Sequence, residues 1–213
     1  NGAHCENCGV SYNWEQEQRF VAQGVNEGPT WTIQPFHVDK GVLTVVSHYI
    51  VDAVIPEGVV EIGVEAFFFF FFRTVTIPDT VTRICEGAFK NCSSLEKIYF
   101  GNGVRRVDPK AFEGCFALKQ IHIKDVASWC KIDFNIGHGL GTYNSLPFLV
   151  AGARLYIDGQ EVKHLVIPEM TSVGTGQFSG CKSIEKVTCG IGVSFKGYSQ
   201  FGYCDNLREL RFE

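Results

Sequence analysis

The chain has 213 residues, 45% of them hydrophobic, and a net charge of −4. That is enough for one substantial core or one continuous stack of repeats, and it provides no basic field of the sort that nucleic acid or an anionic membrane selects. The longest apolar run, Ala66 to Phe72, is seven residues against the roughly 20 that a membrane-spanning helix needs, so membrane insertion is not expected.

Nine cysteines are an odd number, and most fall inside repeated segments rather than at a disulfide-like spacing of their own, which predicts buried thiols. The chain opens at Asn1 without a Met or a basic-then-apolar leader, so a signal peptide is expected to be either absent or already removed, and the compartment is not read from it directly.

Residues Asn1 to Gly28 do not share the repeated pattern of the rest of the chain. His4, Cys5 and Cys8 form an HCxxC whose thiolates can hold one edge of a zinc tetrahedron, but a structural site takes about four ligands and no second CxxC is present. A Cys5–Cys8 disulfide, pairing with another chain, or free thiols are the other readings. Asn13 to Gln23 (NWEQEQRFVAQ) carries Trp14, Phe20 and Val21 among polar residues, with Asn13 as an N-cap and Gly24 as a stop, and reads as a capping helix. Thr30 to Ile50 reads as a hairpin: TWTI, a turn around Asp39, Lys40 and Gly41, then VLTVV. A solenoid's terminal coil otherwise exposes an apolar face, which gives such a cap its purpose. His37 and His48 fit surface positions better than ligand positions.

From Val54 the chain repeats. The residues that close successive β segments are Ile55, Ile77, Phe100, Ile123, Ile167, Cys189 and Phe212, at steps of 22, 23, 23, 44, 22 and 23. A fixed period in the low twenties marks a leucine-rich-repeat-like solenoid, in which each unit buries its apolar side only against its neighbours. The step of 44 is twice 22 and predicts one degenerate coil. The chain therefore divides into an N-terminal segment with capping helix and hairpin, residues 1–53, and a solenoid of mostly short β-strands, residues 54–213, with a degenerate coil and hairpin at 124–162.

Within a unit, Leu95, Ile98 and Phe100 alternate with Lys97 and Tyr99 as a half-buried strand requires. A turn follows at Pro78-Asp79 or Gly101 to Gly103. Val81 and Ile84, or Val104 and Val107, make a second inward segment. Ala88-Phe89, Ala111-Phe112 and the variant Gln177-Phe178 then supply a close approach and most of the buried volume. Cys92, Cys115, Cys181 and Cys204 each fall three residues after such a phenylalanine, and buried small side chains at a tight corner explain them better than a redox or metal ladder. The Asn91-Cys92-Ser93 sequon needs no sugar to explain it.

Two stretches depart from the pattern. In EAFFFFFFRTVTIP, Phe67 to Phe72 replace GAFKNCSSLEKIYF with one residue fewer and no corner cysteine. A coil buries two or three of these rings and exposes the rest, so the run is an apolar patch for a partner, a distorted but buried coil, or residues standing in for a different underlying sequence. Lys124 to Val162 contains SWCKIDF, the glycine-rich GHGLGTYN at 137–144, and LYIDGQEV with the hairpin signal Asp158-Gly159. The glycines lack the continuation of a phosphate-binding fingerprint. Trp129, His138 and Tyr143 are candidates for loop recognition, although Trp129 fits core packing better.

The template IPxxVxxIxxxAFxxCxxLxxIxI is carried by IPDTVTRICEGAFKNCSSLEKIYF, GNGVRRVDPKAFEGCFALKQIHI, IPEMTSVGTGQFSGCKSIEKVTC and GVSFKGYSQFGYCDNLRELRF, and it resembles the BspA-like leucine-rich repeat family over Val54 to Glu213. The resemblance implies a right-handed curved α/β solenoid of 22–23-residue coils with an N-terminal cap. It also implies a secreted or surface-attached bacterial protein that binds host or neighbouring-cell macromolecules, with no catalytic residues and no cofactor to carry over.

Neither GxSxG, HExxH nor a P-loop is present, so enzyme chemistry is not expected. The outward strand positions are then the candidate ligand-binding stripe: Lys97, Tyr99, Gln120, His122, His164, Lys186, Thr188 and Arg211, flanked by Thr74, Thr76, Val166 and Glu209. Polar, basic and aromatic groups along a rigid sheet suit a protein or glycan ligand, with Tyr99 and His122 central. An intracellular scaffold for protein–protein interaction is the rival reading, favoured by the unpaired thiols. A zinc or redox protein acting through His4, Cys5 and Cys8 is the third.

Overall fold

A computed structural model describes residues 3–4, 11–12, 36–45, 52–135 and 145–213. The expected helix over 13–23, the TWTI strand, Cys5 and Cys8, His48, and the loop with His138 and Tyr143 lie outside the described residues. The chain forms two units, residues 1–34 and 35–213. In the first, strands β1 (Ala3–His4) and β2 (Ser11–Tyr12) pair antiparallel, Ala3 opposite Tyr12.

The second unit opens with a hairpin of β3 (Phe36–Asp39) and β4 (Val42–Val45). Its two turn residues, Lys40 at φ 49° and Gly41 at φ 80°, are both left-handed, as a two-residue turn matched to strand twist requires. The coils come next, most contributing one longer and one shorter strand: β5 (Asp52–Val54) and β6 (Glu61–Ile62), then β7 (Thr74–Thr76) and β8 (Arg83–Ile84), then β9 (Lys97–Tyr99) and β10 (Arg106–Val107). After these stand β11 (Gln120–Ile123), the helical turn α1 (Val126–Trp129) and β12 (Asp133–Phe134). Helix α2 (Pro147–Ala151) leads into β13 (Arg154–Ile157) and β14 (Gln160–Glu161). The chain ends with β15 (His164–Ile167), β16 (Ser172–Val173), β17 (Lys186–Cys189), β18 (Ser194–Phe195) and β19 (Glu209–Phe212).

Successive coils pair in parallel and in register, so each strand type builds its own sheet: β5, β7, β9, β11 and β13 in one, β4, β6, β8, β10 and β12 in another. Residues one period apart stack. Ala53, Val75, Ile98, Ile121 and Leu155 form one inward column, and Ile62, Ile84, Val107 and Phe134 the opposing one, all buried. Between them Phe67, Phe89 and Phe112 stack with centroids 5.0 and 5.5 Å apart and ring planes nearly parallel, as Phe178 and Phe201 do at 5.5 Å. Turn chemistry is stacked too. A Cβ on Gly101 would lie 2.5 Å from the Pro78 carbonyl of the coil before it and one on Gly103 1.8 Å from the Asp79 carbonyl, which is why glycines stand where that coil has Pro78 and Thr80.

Three of the four corner cysteines tie their coil to the one before, and the fourth, Cys181, lies 3.3 Å from the Ser183 hydroxyl. Cys92 Sγ donates to the Phe67 carbonyl at 2.9 Å, Cys115 to Phe89 at 3.0 Å and Cys204 to Phe178 at 3.0 Å. The thiol is thus both a small buried group and the partner of a carbonyl one coil earlier.

The six-phenylalanine coil keeps this geometry. Phe67, Phe70 and Phe72 are buried at the positions of Phe89, Cys92 and Leu95, while Phe68, Phe69 and Phe71 are exposed. The exposed Phe69 occupies the left-handed corner, φ 63°, held in later coils by Asn91, Gly114 and Gly180.

The 44-residue step does not divide evenly. Leu155 pairs with Ile121 after 34 residues, and ten residues later Leu165 starts a new sheet, β15-β17-β19. The reason is local: Asp158 and Gly159, at φ 49° and 75°, turn the chain into β14, which pairs antiparallel with β13 and covers its edge. A buried clasp joins the two halves. Trp129 Nε1 donates to the Gln177 carbonyl at 3.0 Å, and Gln177 Nε2 donates back to the Trp129 carbonyl. Trp129 is therefore core, and Gln177 stands at the alanine position of the template because it reaches across this seam.

A left-handed conformation costs a non-glycine residue about 1–2 kcal/mol, least for asparagine. Phe69→Asn is expected to stabilise the fold by about 0.5–1 kcal/mol in urea unfolding, and no change or a loss would show that the exposed ring packs usefully.

Candidate binding face

The parallel register decides which side chains meet outside the core. On the first sheet the outward columns are Asp52, Thr74, Lys97, Gln120, Arg154 and Val54, Thr76, Tyr99, His122, Tyr156. Neighbouring strands lie about 4.8 Å apart, so planar side chains in one column must stack. Tyr99 and His122 do so at 4.3 Å with 23° between planes, and His122 and Tyr156 at 4.8 Å and 22°. The imidazole thus has a phenol ring on each face.

Around this ladder the polar groups are fixed. His122 Nε2 and Gln120 Oε1 are 3.1 Å apart, Thr74 Oγ1 donates to Asp52 at 2.6 Å, and Arg154 Nη1 pairs with Glu161 at 2.7 Å. Burial, and then the charge of Lys97, hold the half-buried His122 imidazole below its ordinary pKa, so it is neutral at physiological pH.

The eight expected stripe residues do not form one stripe. Lys97, Tyr99, Gln120 and His122 share the first sheet, whereas His164, Lys186, Thr188 and Arg211 lie on the second, beyond the β14 edge. On the second sheet His164 Nε2 and Thr188 Oγ1 are 2.8 Å apart, Lys186 reaches Glu209 at 3.4 Å, and Arg211 also pairs with Glu209. Arg154 and Tyr156 belong to the first group and were missing from the sequence stripe. Their signal was the alternating LYI before Asp158-Gly159, hidden because the register was counted by halving 44.

The shorter strands carry a charge ladder instead. Asp108 is buried between Arg83, at 2.7 Å, and Arg106, at 2.6 Å. Burial opposes its charge, but the two guanidinium groups outweigh it and hold the carboxyl below its ordinary range. Where this sheet stops at β12 and the next begins at β16, a groove of about 810 Å³ opens, with Lys131, Asp133, Ser172 and Lys196 in its walls.

The seven described cysteines are buried and unpaired. Burial pushes Cys130 and Cys204 up to about 12. The neighbouring Cys115 thiol, and then burial, raise Cys92 as well. Such thiols are poor nucleophiles and poor metal ligands. Among the described residues no three metal-ligating side chains converge, and no helix is long and apolar enough to cross a membrane.

The sequence model of the BspA type leucine rich repeat region matches residues 47–134 and 154–213 in six copies. No curated protein matches the chain. Among solved structures, a leucine-rich repeat protein of T. pallidum is 19% identical, with 83% of this chain and 81% of that one covered and a TM-score of 0.42. A leucine-rich repeat protein of Bacteroides capillosus is 26% identical over 47% of this chain and 91% of that one, TM-score 0.36. A leucine-rich cell surface protein of Faecalibacterium prausnitzii is 16% identical over 84% and 74%, TM-score 0.31.

The state of His122 sets a pH dependence. Its folded pKa lies below the unfolded value of about 6.5, so the fold has its full stability above that pH and loses some as pH falls through the folded value. His122→Gln is expected to flatten the fall of melting temperature as pH drops below about 6.5 relative to the parent chain. Identical pH profiles for the two proteins would show that His122 titrates normally.

Proposed function

The chain belongs to the BspA-type leucine-rich repeat family, and from that premise we propose that it is a non-catalytic recognition module of a bacterial surface or secreted protein. Its proposed binding face is the first sheet around Tyr99, His122 and Tyr156. The ring ladder carries this reading. Solvated strand positions need no particular side chain, yet three consecutive rungs place aromatic rings in contact on an outer face. Tyrosine and histidine there offer a preordered apolar edge with hydrogen-bonding tips, at low entropic cost on binding.

Of a protein and a glycan ligand, the geometry favours a protein. A sugar packs on an open aromatic face, and both faces of His122 are taken by its neighbours. What remains outward is a row of ring edges, hydroxyls and amides at strand pitch, suited to an extended peptide segment.

The test is binding of the purified chain to arrays of extracellular proteins and of glycans, with Tyr99→Ala/Tyr156→Ala beside the parent. Loss of at least tenfold in affinity, about 1.4 kcal/mol, is expected on the protein array with folding intact by circular dichroism. Equal binding by both chains would remove this face from consideration.

One observation favours an intracellular scaffold instead: seven buried unpaired thiols, which an oxidising compartment discourages. Alkylation of native protein isolated from its own cells separates the readings. On the surface or secreted reading the seven label only after denaturation and Cys5 and Cys8 are oxidised, whereas a reduced Cys5 and Cys8 would favour the cytosol.

A further inference from the structure

On the short-strand side the ladder is interrupted in the middle of the stack. There the amide after each short strand donates to the closing strand residue of the coil before: Cys85 to Ile62, Asp108 to Ile84, Asn135 to Val107 and Lys196 to Val173. The same step from Gly174 to Phe134 is not made, and among the described residues no backbone bond joins β16 to β12. In its place lies the groove of about 810 Å³, within the range of about 300–1,000 Å³ common to ligand-holding clefts.

Both walls present unused backbone. Asp133 and Asn135 donate to β10, so by alternation the Phe134 N–H and C=O face the groove. Thr171 and Val173 accept from β18, so the Ser172 N–H and C=O face it from the other side. Beside them, Gln177 is 1% exposed and its Oε1 has no hydrogen-bond partner. Gly174, in the groove wall, keeps that oxygen uncovered, since a Cβ there would lie 2.8 Å from it. A buried acceptor without a donor is rare. The charge is one-sided as well. Lys131 and Lys196 stand against the single carboxylate of Asp133, and among the described residues neither lysine has an ion-pair partner.

We propose that this groove is a second binding site, separate from the first-sheet face, and that it takes an acidic peptide segment of another protein, extended as the strand missing between β12 and β16. Three features select that occupant. The free Phe134 and Ser172 groups are matched by a partner that itself offers N–H and C=O at strand pitch, as in strand addition to a sheet edge. Alternate side chains of such a segment point to opposite sides. One set lies on the buried Ile132 and Phe134, and the other faces solvent, where carboxylates meet the exposed Lys131 and Lys196. A donor on the same segment, passing Gly174, satisfies Gln177 Oε1.

A phage-displayed library of random linear peptides, selected on the full chain and depleted on its Ser172→Pro variant, tests this. Proline deletes the Ser172 N–H, which no backbone bond among the described residues uses, and an open strand edge tolerates it, so the variant should melt close to the parent. Enriched peptides are expected to be acidic, with β-branched residues in alternation. In fluorescence anisotropy they should bind Lys131→Glu/Lys196→Glu at least about tenfold more weakly than the parent, and Tyr99→Ala/Tyr156→Ala equally well. If Ser172→Pro fails to fold, the lysine variant, altered only at exposed side chains, takes its place in the depletion, and acidic sequences remain the expected result. Enrichment of no sequence, or of basic or uncharged ones, overturns the proposal. So does equal binding to the lysine variant, or loss of binding on the tyrosine variant, which returns the peptides to the first sheet.

Discussion

Everything in residues 35–213 depends on the in-register parallel pairing of one coil with the next. The ladder sets identical template positions one strand spacing apart, and side chains of the same kind must then stack on themselves. Inside, this gives the phenylalanine column, whose rings are tilted by only 11° and 2°, and the thiols that each satisfy a carbonyl one period earlier. Outside, the same constraint gives the Tyr99, His122, Tyr156 ladder. Core column and candidate binding face are two consequences of one register.

The constraint also explains where the face ends. A stack continues only while each strand leaves an edge for the next, and the Asp158-Gly159 turn folds β14 onto the edge of β13. The second sheet therefore begins afresh, and continuity between the halves passes to side chains: the reciprocal Trp129 and Gln177 bonds, and the Leu155 amide donating to the Ser183 hydroxyl at 3.0 Å. These are buried polar contacts, costly to leave unmade, which is why a glutamine is tolerated at a position that elsewhere takes alanine.

The repeat, the two strand segments per coil, the buried corner cysteines and the Lys40-Gly41 and Asp158-Gly159 turns were legible in the sequence, because period and turn chemistry are local signals. Lys97, Tyr99, Gln120 and His122 were legible as outward positions for the same reason. What was not legible was the seam. A spacing of 34 and a spacing of ten add to the same 44 as two ordinary coils, so counting placed Val166 in line with His122 and passed over Tyr156, the residue that lies there. The left-handed corner also escaped notice, since Phe69, Asn91, Gly114 and Gly180 share a backbone conformation but little chemistry.

The exposed rings of the six-phenylalanine coil show what the register leaves over. Phe68, Phe69 and Phe71 point outward from a coil whose template positions are already filled by Phe67, Phe70 and Phe72 and whose neighbours on both sides are paired. Their exposure is surplus, with no strand edge beside it to receive a partner. An apolar face binds specifically only where directional groups fix the register of what covers it, and here the neighbouring coils have already taken those groups.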